Sequence, residues 1–403
     1  MISMGTKANK AVAKRVATSA KREKATSSKS KVAKENNTYR FGGTQSFPLR
    51  QLWPYKAYQF SLRRMKKGQE VSYADTKQAI MELGVGANMV ESIFYWAKCL
   101  NIVNSKNYIT PFALKLFGNK VDHYADSYSN SAPSLLGLTE DEEPTSKSIN
   151  KLDKEYVDPL VLNLLPSKVK GLDPYTESCS TLWLYHYYLC SSPSNYTLLW
   201  FLFNRFNKQS FTKEEFLEDF HRFLEQELSH GKLSRKPAEK TIKVDLDVAI
   251  RAYAPLTRDV GVLRSSVKKL DNVEEISDYP LRELQVMRSS VKRIEFNRGS
   301  HSTLTNYVFA YCLLDFFCKQ GTSSVSMDFN KIAYAEGSPG RIFMLDEKSL
   351  GDYLFELEKL TDGDLKFSEQ NGIRQLTCSI TDQAGRKALQ NSLLDKVYSH
   401  DAQ

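Results

Sequence analysis

Two acids stand two residues apart in the run Lys243-Val244-Asp245-Leu246-Asp247. On a helix, Ile242, Leu246, Ala249, Ile250 and Tyr253 form one apolar stripe. Asp245 falls at the edge of that stripe, where a carboxylate needs a partner: an arginine such as Arg258 or Arg341, or a divalent metal. Asp247 falls on the polar side, four residues from both Lys243 and Arg251, and the plain reading is a surface ion pair with Arg251. Two or three carboxylates that converge can hold Mg²⁺ or Mn²⁺, activate water and stabilise a leaving oxygen, which is the chemistry of a nuclease. Asp259, Asp278 and Glu283 are the further acids that could join. No other catalytic signature is present: the chain has no phosphate-binding loop, no GxSxG, no HExxH and no zinc quartet. The six histidines are scattered. The six cysteines form no CxxC pair and read as reduced, mostly buried thiols of a cytoplasmic protein.

The elements that would present DNA to such a site lie earlier. Tyr55, Tyr58, Leu62 and Met65 mark one face of a helix whose other side carries Lys56, Arg63 and Arg64. A second helix starts at Ser72, with Asp75 as its capping partner, and stops at Leu83-Gly84. A third begins near Gly86-Ala87-Asn88 and buries Met89, Ile93, Trp96 and Leu100. Residues 101–109 read as a short strand pair, and Thr110-Pro111 opens another helix that Gly118 closes. This order predicts a winged-helix-like module. Its third helix would offer Ala87, Asn88, Glu91, Ser92 and Tyr95 to the major groove, with Asn88 reading adenine. Lys106 and Asn107 at the wing tip, with Arg50, Lys56, Arg63 and Arg64, would meet phosphates. The alternative is the same module used for protein contact, with Asn88 as a helix cap.

Charge separates the chain into zones. Residues 1–38 hold ten Lys or Arg against two Glu, so this segment carries +8 of the net +9. Rich in Lys, Ala, Ser and Thr, it predicts a disordered basic tail that grips phosphate without sequence preference; a merely solubilising tail is the alternative. The winged-helix-like domain covers 39–125. A Ser-rich and then acidic stretch, 126–152, reads as a linker. Residues 153–403 read as a mainly helical domain. The aromatics of 173–206 fall at helical spacing and predict core helices rather than a base-stacking surface, and 304–317 reads as another buried helix. Thr212 with Glu215 marks a capped helix start. Asn371-Gly372 between apolar-alternating arms predicts a hairpin. With the helix at about 347–360 it suggests a second winged-helix-like unit, in which Arg341 and Arg374 would meet DNA. The fold class expected is mainly α with small β wings. No apolar run reaches the roughly 18 residues of a membrane span, and the N-terminus has no apolar signal core.

Several stretches resemble a family of uncharacterised domains found beside bacterial DNA phosphorothioation genes. They are Ser46-Phe47-Pro48-Leu49-Arg50, Leu83 through Val90 to Trp96, Asp173-Pro174-Tyr175 with Leu182-Trp183, Asp245-Leu246-Asp247 through Tyr253-Ala254-Pro255, Asp278 through Leu284, Gly337-Ser338-Pro339-Gly340-Arg341, and Gly372-Ile373-Arg374-Gln375. The resemblance implies a DNA-nicking protein of an anti-phage defence system. It would act with a cysteine desulfurase, an ATPase and an ATP-pyrophosphatase-like sulfur transferase that replace a phosphate oxygen by sulfur. Family members often carry His-Glu before the Ser/Thr-Phe of the first stretch, where this chain has Thr44-Gln45. That departure moves the catalytic expectation to Asp245, Asp247 and Glu283, with Asp245 and Asp247 holding Mg²⁺ or Mn²⁺. The alternative is a non-catalytic DNA-binding adapter that recruits the sulfur-transfer machinery, and a protein scaffold is a third reading.

Overall fold

The computed structural model describes residues 39–72, 76–121, 156–165, 169–254, 278–290, 292–321 and 325–400. The expected basic tail, the linker, Asp75, Arg258 and Asp259 lie outside these residues.

The chain opens with helices α1 (Trp53–Lys66), α2 (Thr76–Leu83), α3 (Ala87–Cys99) and α4 (Pro111–Phe117). After the gap come α5 (Pro159–Leu164), α6 (Cys179–Cys190) and α7 (Thr197–Asn204), then strand β1 (Ser210–Phe211), α8 (Lys213–Ser229) and α9 (Glu239–Tyr253). A 3-10 helix (Pro280–Leu284) leads into β2 (Met287–Ser289) and β3 (Ile294–Phe296). The last stretch is α10 (Asn306–Lys319), β4 (Ser326–Asp328), α11 (Phe329–Tyr334), α12 (Pro339–Ile342), α13 (Glu347–Leu360), β5 (Leu365–Gln370), β6 (Ile373–Cys378) and α14 (Gln383–His400). The mainly helical class is therefore as expected, with two antiparallel three-stranded sheets ordered β1-β3-β2 and β4-β6-β5. Among the described residues no helix is long and apolar enough to cross a membrane.

Local chemistry accounts for the element ends. Thr110 caps α4 by accepting from the Ala113 amide, Pro111 starts it, and Gly118, at φ 74°, stops it. Thr212 and Glu215 form the reciprocal capping box of α8. Asn371 and Gly372 both have positive φ, 53° and 77°, so a two-residue turn joins Gln370 to Ile373 in register. The wing expected after α3 shrinks to one bridge, Val103 to Ile109. The Asn104 carboxamide closes that turn by accepting from the Lys106 and Tyr108 amides. Asn107 turns inward at φ 65° and donates to the Val71 carbonyl.

The aromatic runs are core. In α6 every residue from Ser180 to Cys190 is buried, and in α7 every residue is. His186 shows how completely polar groups are paired there. One ring nitrogen meets the Tyr253 hydroxyl at 2.7 Å and the other the Ile342 carbonyl at 3.0 Å. Burial holds the ring neutral, its pKa lowered to about 4. One continuous apolar core runs from Tyr39 to Tyr398, so the described helices on both sides of residues 126–152 share it. Residues 40–44 enter this body as an extended strap. The Arg40 amide donates to Thr197, the Gly42 amide to Asp245 and the Tyr39 hydroxyl to Glu227.

Candidate nucleic-acid interface

The geometry at the start of α3 follows from two glycines. Gly84 takes φ 64° and closes α2 by donating to the Ile80 carbonyl. Gly86 is the N-cap of α3 and supplies no side-chain cap bond. A Cβ at either glycine would meet nothing within 4 Å, so this corner of the backbone stands open. The first amides of a helix have no partner within it and carry the positive end of its dipole. The start of α3 borders an open pocket of about 490 Å³ lined by Arg50, Trp53, Lys56, Val85, Gly86, Met89 and Asp278, among others. Arg50 lies 5.6 Å over the Trp53 ring and 3.5 Å from the Asp278 carboxylate. Lys56 donates to the last carbonyl region of α2, Leu83, at 2.9 Å. Two stretches thus put two cations and an uncapped helix N-terminus around one concavity, and a third adds Asp278, which pairs with Arg50; Lys56 and the helix terminus are suited to a phosphate oxygen.

The remaining expected contacts divide. Asn88 is exposed in the first turn of α3. Lys106 is exposed at its turn. Ser92 is not on that surface: it is buried and donates to the Thr44 carbonyl at 2.9 Å. Tyr95 turns its ring inward against Tyr196 and Trp96, and Gly43 sits directly on it. The exposed face of α3 is therefore narrower than its periodicity suggests, because the strap 40–47 covers the side that Ser92 and Tyr95 occupy. Glu91 stays exposed and accepts from Gln45 at 2.6 Å. Arg63 and Arg64 both pair with Glu82, at 3.6 and 3.1 Å, and are at most 15% exposed. Arg374 is spent on Glu347 at 3.1 Å and lies 3.3 Å over the Phe329 ring. Arg341 bonds the Asn204 carbonyl and the Asn207 side chain, at 2.9 and 2.5 Å.

The acids do not converge. Asp245 is 1% exposed and accepts from the Gly42 amide at 2.7 Å and the Thr44 hydroxyl at 3.4 Å. Burial pushes its carboxyl up to about 6, against the pull of those two donors. The partner it needed is thus the strap, not an arginine. Asp247 points elsewhere from α9 and pairs with Lys213 at 2.5 Å, not with Arg251, which reaches the Tyr279 hydroxyl. Two positions apart on a helix face nearly opposite directions, which is the physical reason one ion cannot bridge them. Glu283 is exposed on the 3-10 helix. Among the described residues no group of three or more His, Cys, Asp or Glu comes together to hold a metal. Asp245 and Asp247 therefore do not fit a shared Mg²⁺ or Mn²⁺.

Fold and site define a mainly helical protein with two small sheets and a concavity, lined by Arg50, Lys56 and Asp278, at an open helix N-terminus. The chain belongs to the family described as a protein of unknown function, DUF4007, whose model matches residues 41–138 and 137–398. Its fold is similar to that of the SspB crystal structure, with a TM-score of 0.61 and 22% identity over 89% of this chain and 88% of that one. The magnesium ion-bound SspB crystal structure matches with a TM-score of 0.62 at the same identity and coverage. No curated protein matches the chain.

Proposed function

We propose that this protein binds the DNA backbone as a component of a phosphorothioation system, working beside a cysteine desulfurase, an ATPase and an ATP-pyrophosphatase-like sulfur transferase. The observation that carries DNA binding is the uncapped start of α3 opening beside Arg50 and Lys56. The resemblance of the motif stretches to the family found beside phosphorothioation genes supports the system. In this reading Asn88 touches a base edge, the α3 amides with Arg50 and Lys56 take a phosphate, and residues 1–38 add sequence-independent grip. The winged-helix description of this module belongs to the same proposal.

A second reading is a nicking endonuclease that opens the backbone for sulfur exchange, dependent on Mg²⁺ or Mn²⁺. Its support is the fold shared with a protein solved with magnesium bound. It draws nothing from an Asp245–Asp247 ion site, so the adapter reading has the better geometric support.

The test is binding and cleavage of supercoiled plasmid with Mg²⁺, Mn²⁺ or EDTA. The adapter reading expects retention of the plasmid on a gel with no open-circle product. Asn88→Ala should weaken duplex binding about 5- to 100-fold, the worth of one base contact. Lys56→Gln should reduce the slope of log affinity against log salt by about 0.9. Metal-dependent nicking that vanishes in EDTA would replace the adapter by the nickase. Binding indifferent to both substitutions would sink the proposed interface.

A further inference from the structure

Arg341 is anchored without a direct ion pair, Glu336 acting on it only at longer range. It follows the turn Gly337-Ser338, in which Ser338 caps α12 and the Gly337 amide donates to Asn204 at 2.7 Å. Its Nε and Nη2 bond the Asn204 carbonyl and the Asn207 carboxamide, both neutral. Among the described residues no carboxylate lies within ion-pair distance of it, and Nη1 has no protein acceptor.

A second arginine is stitched to the same turn. The Gly299 amide donates to the Met344 carbonyl at 3.0 Å, the Met344 amide donates to the Arg341 carbonyl at 3.2 Å, and His301 meets the Phe343 carbonyl at 2.8 Å. Gly299 has φ 114°, and an added Cβ would come within 3.3 Å of Asp346. Arg298, immediately before it, is exposed and makes no ion pair or hydrogen bond among the described residues. The other charged groups around this turn are already engaged. Glu336 is held by Arg205 at 2.7 Å, Lys208 faces Asp219 at 3.7 Å, and Asp346 caps α13 through the Ser349 amide.

We propose that Arg298 and Arg341 form an oxyanion site for a phosphate group, taken either from a nucleic-acid backbone or from a nucleotide. Guanidinium forks match tetrahedral oxyanions, and two of them with no directly paired carboxylate are held together at a cost that such a ligand would offset. Partial desolvation lowers the pKa of both arginines, although the Arg298 residue is largely solvent-exposed; for Arg341 the neighbouring Arg298 adds to the effect and Glu336 opposes it. The proposal does not depend on the α3 interface, since its residues lie on other elements.

Thermal melting of the full chain in sodium phosphate, against sodium chloride of equal ionic strength, tests it. Phosphate should raise the Tm of the wild type but not of Arg298→Gln. In chloride, Arg298→Gln should melt at or above the wild type, because a like-charge contact is gone. Arg341→Lys, which keeps the charge and loses the fork, should retain only part of the phosphate effect. Asn88→Ala should retain all of it, so the two interfaces fail or stand separately. A labelled DNA duplex and ATP distinguish the sources. A salt slope lowered by about 0.9 in Arg298→Gln assigns a backbone phosphate, and ATP protection lost in that variant with an unchanged slope assigns a nucleotide. Equal phosphate stabilisation of wild type and Arg298→Gln, or none in the wild type, overturns the site.

Discussion

Asp245 is the residue whose chemistry the sequence raised and the structure redirected. A carboxylate beside an apolar stripe asks for a partner, and here the partner is a backbone amide and a hydroxyl of the strap. Its folded-state pKa, about 6, lies above the ordinary 3.8. Protonation therefore favours the fold. The penalty is absent below about pH 4, grows as pH rises toward 6 and is complete above it. Asp245→Asn removes the charge and keeps an acceptor for Gly42. Relative to wild type it should gain stability progressively across that window, by at most roughly 3 kcal/mol. Denaturant melts of both proteins from pH 4 to 8 check this, and a difference independent of pH would refute it. Asp245→Ala leaves the Gly42 amide without its acceptor and should cost about 1–3 kcal/mol near neutral pH. Loss of activity in that variant alone would thus say nothing of catalysis.

At the scale of elements, the strap and α3 explain each other. Gly43 has φ 98°, and a Cβ there would lie 2.3 Å from the Tyr95 ring. Gly43→Ala should destabilise the protein by about 1–3 kcal/mol through overpacking, with added strain from the backbone. It should also unmask Ser92, whose hydroxyl bonds the neighbouring Thr44 carbonyl. Hydrogen exchange in 87–99 measures the second effect, and unchanged exchange would separate the strap from the helix. The capping box of α8 is a simpler case: Thr212→Ala should cost about 1 kcal/mol in a chemical melt. Capping and turn signals of this kind were legible in the sequence because they are local. The reduction of the expected wing to one bridge was not. Whether 101–109 pairs as strands depends on Val71, which lies 36 residues before Asn107 and draws it inward.

For the whole molecule, charge and core give different partitions. Residues 1–38 carry +8, leaving about +1 for the other 365 residues. Deleting 1–38 should flatten the salt dependence of DNA binding while the Asn88→Ala effect persists, as measured by anisotropy at several salt concentrations. An unchanged slope would remove the tail from the interface. The core runs unbroken from Tyr39 to Tyr398 among the described residues. Cleavage of the chain within 126–152 should therefore leave the two pieces associated through gel filtration, and dissociation would show that their shared core is too weak to hold them.

The sequence by itself determined the helical class, the caps of α4 and α8, the Asn-Gly hairpin, the buried aromatic helices and the concentration of charge in residues 1–38. Each follows from periodicity, a local motif or a count. The tertiary structure alone decided what faces what. It showed that Ser92 and Tyr95 point inward, that Glu82 pairs with both Arg63 and Arg64, and that Lys213 rather than Arg251 takes Asp247. It also brought Arg298 to the turn of Arg341, 43 residues later, which no spacing announces. Periodicity says which face of a helix is apolar, but a polar residue at its border is assigned only by the segment that packs there. For Asp245 that segment is the strap, about 200 residues away in the chain.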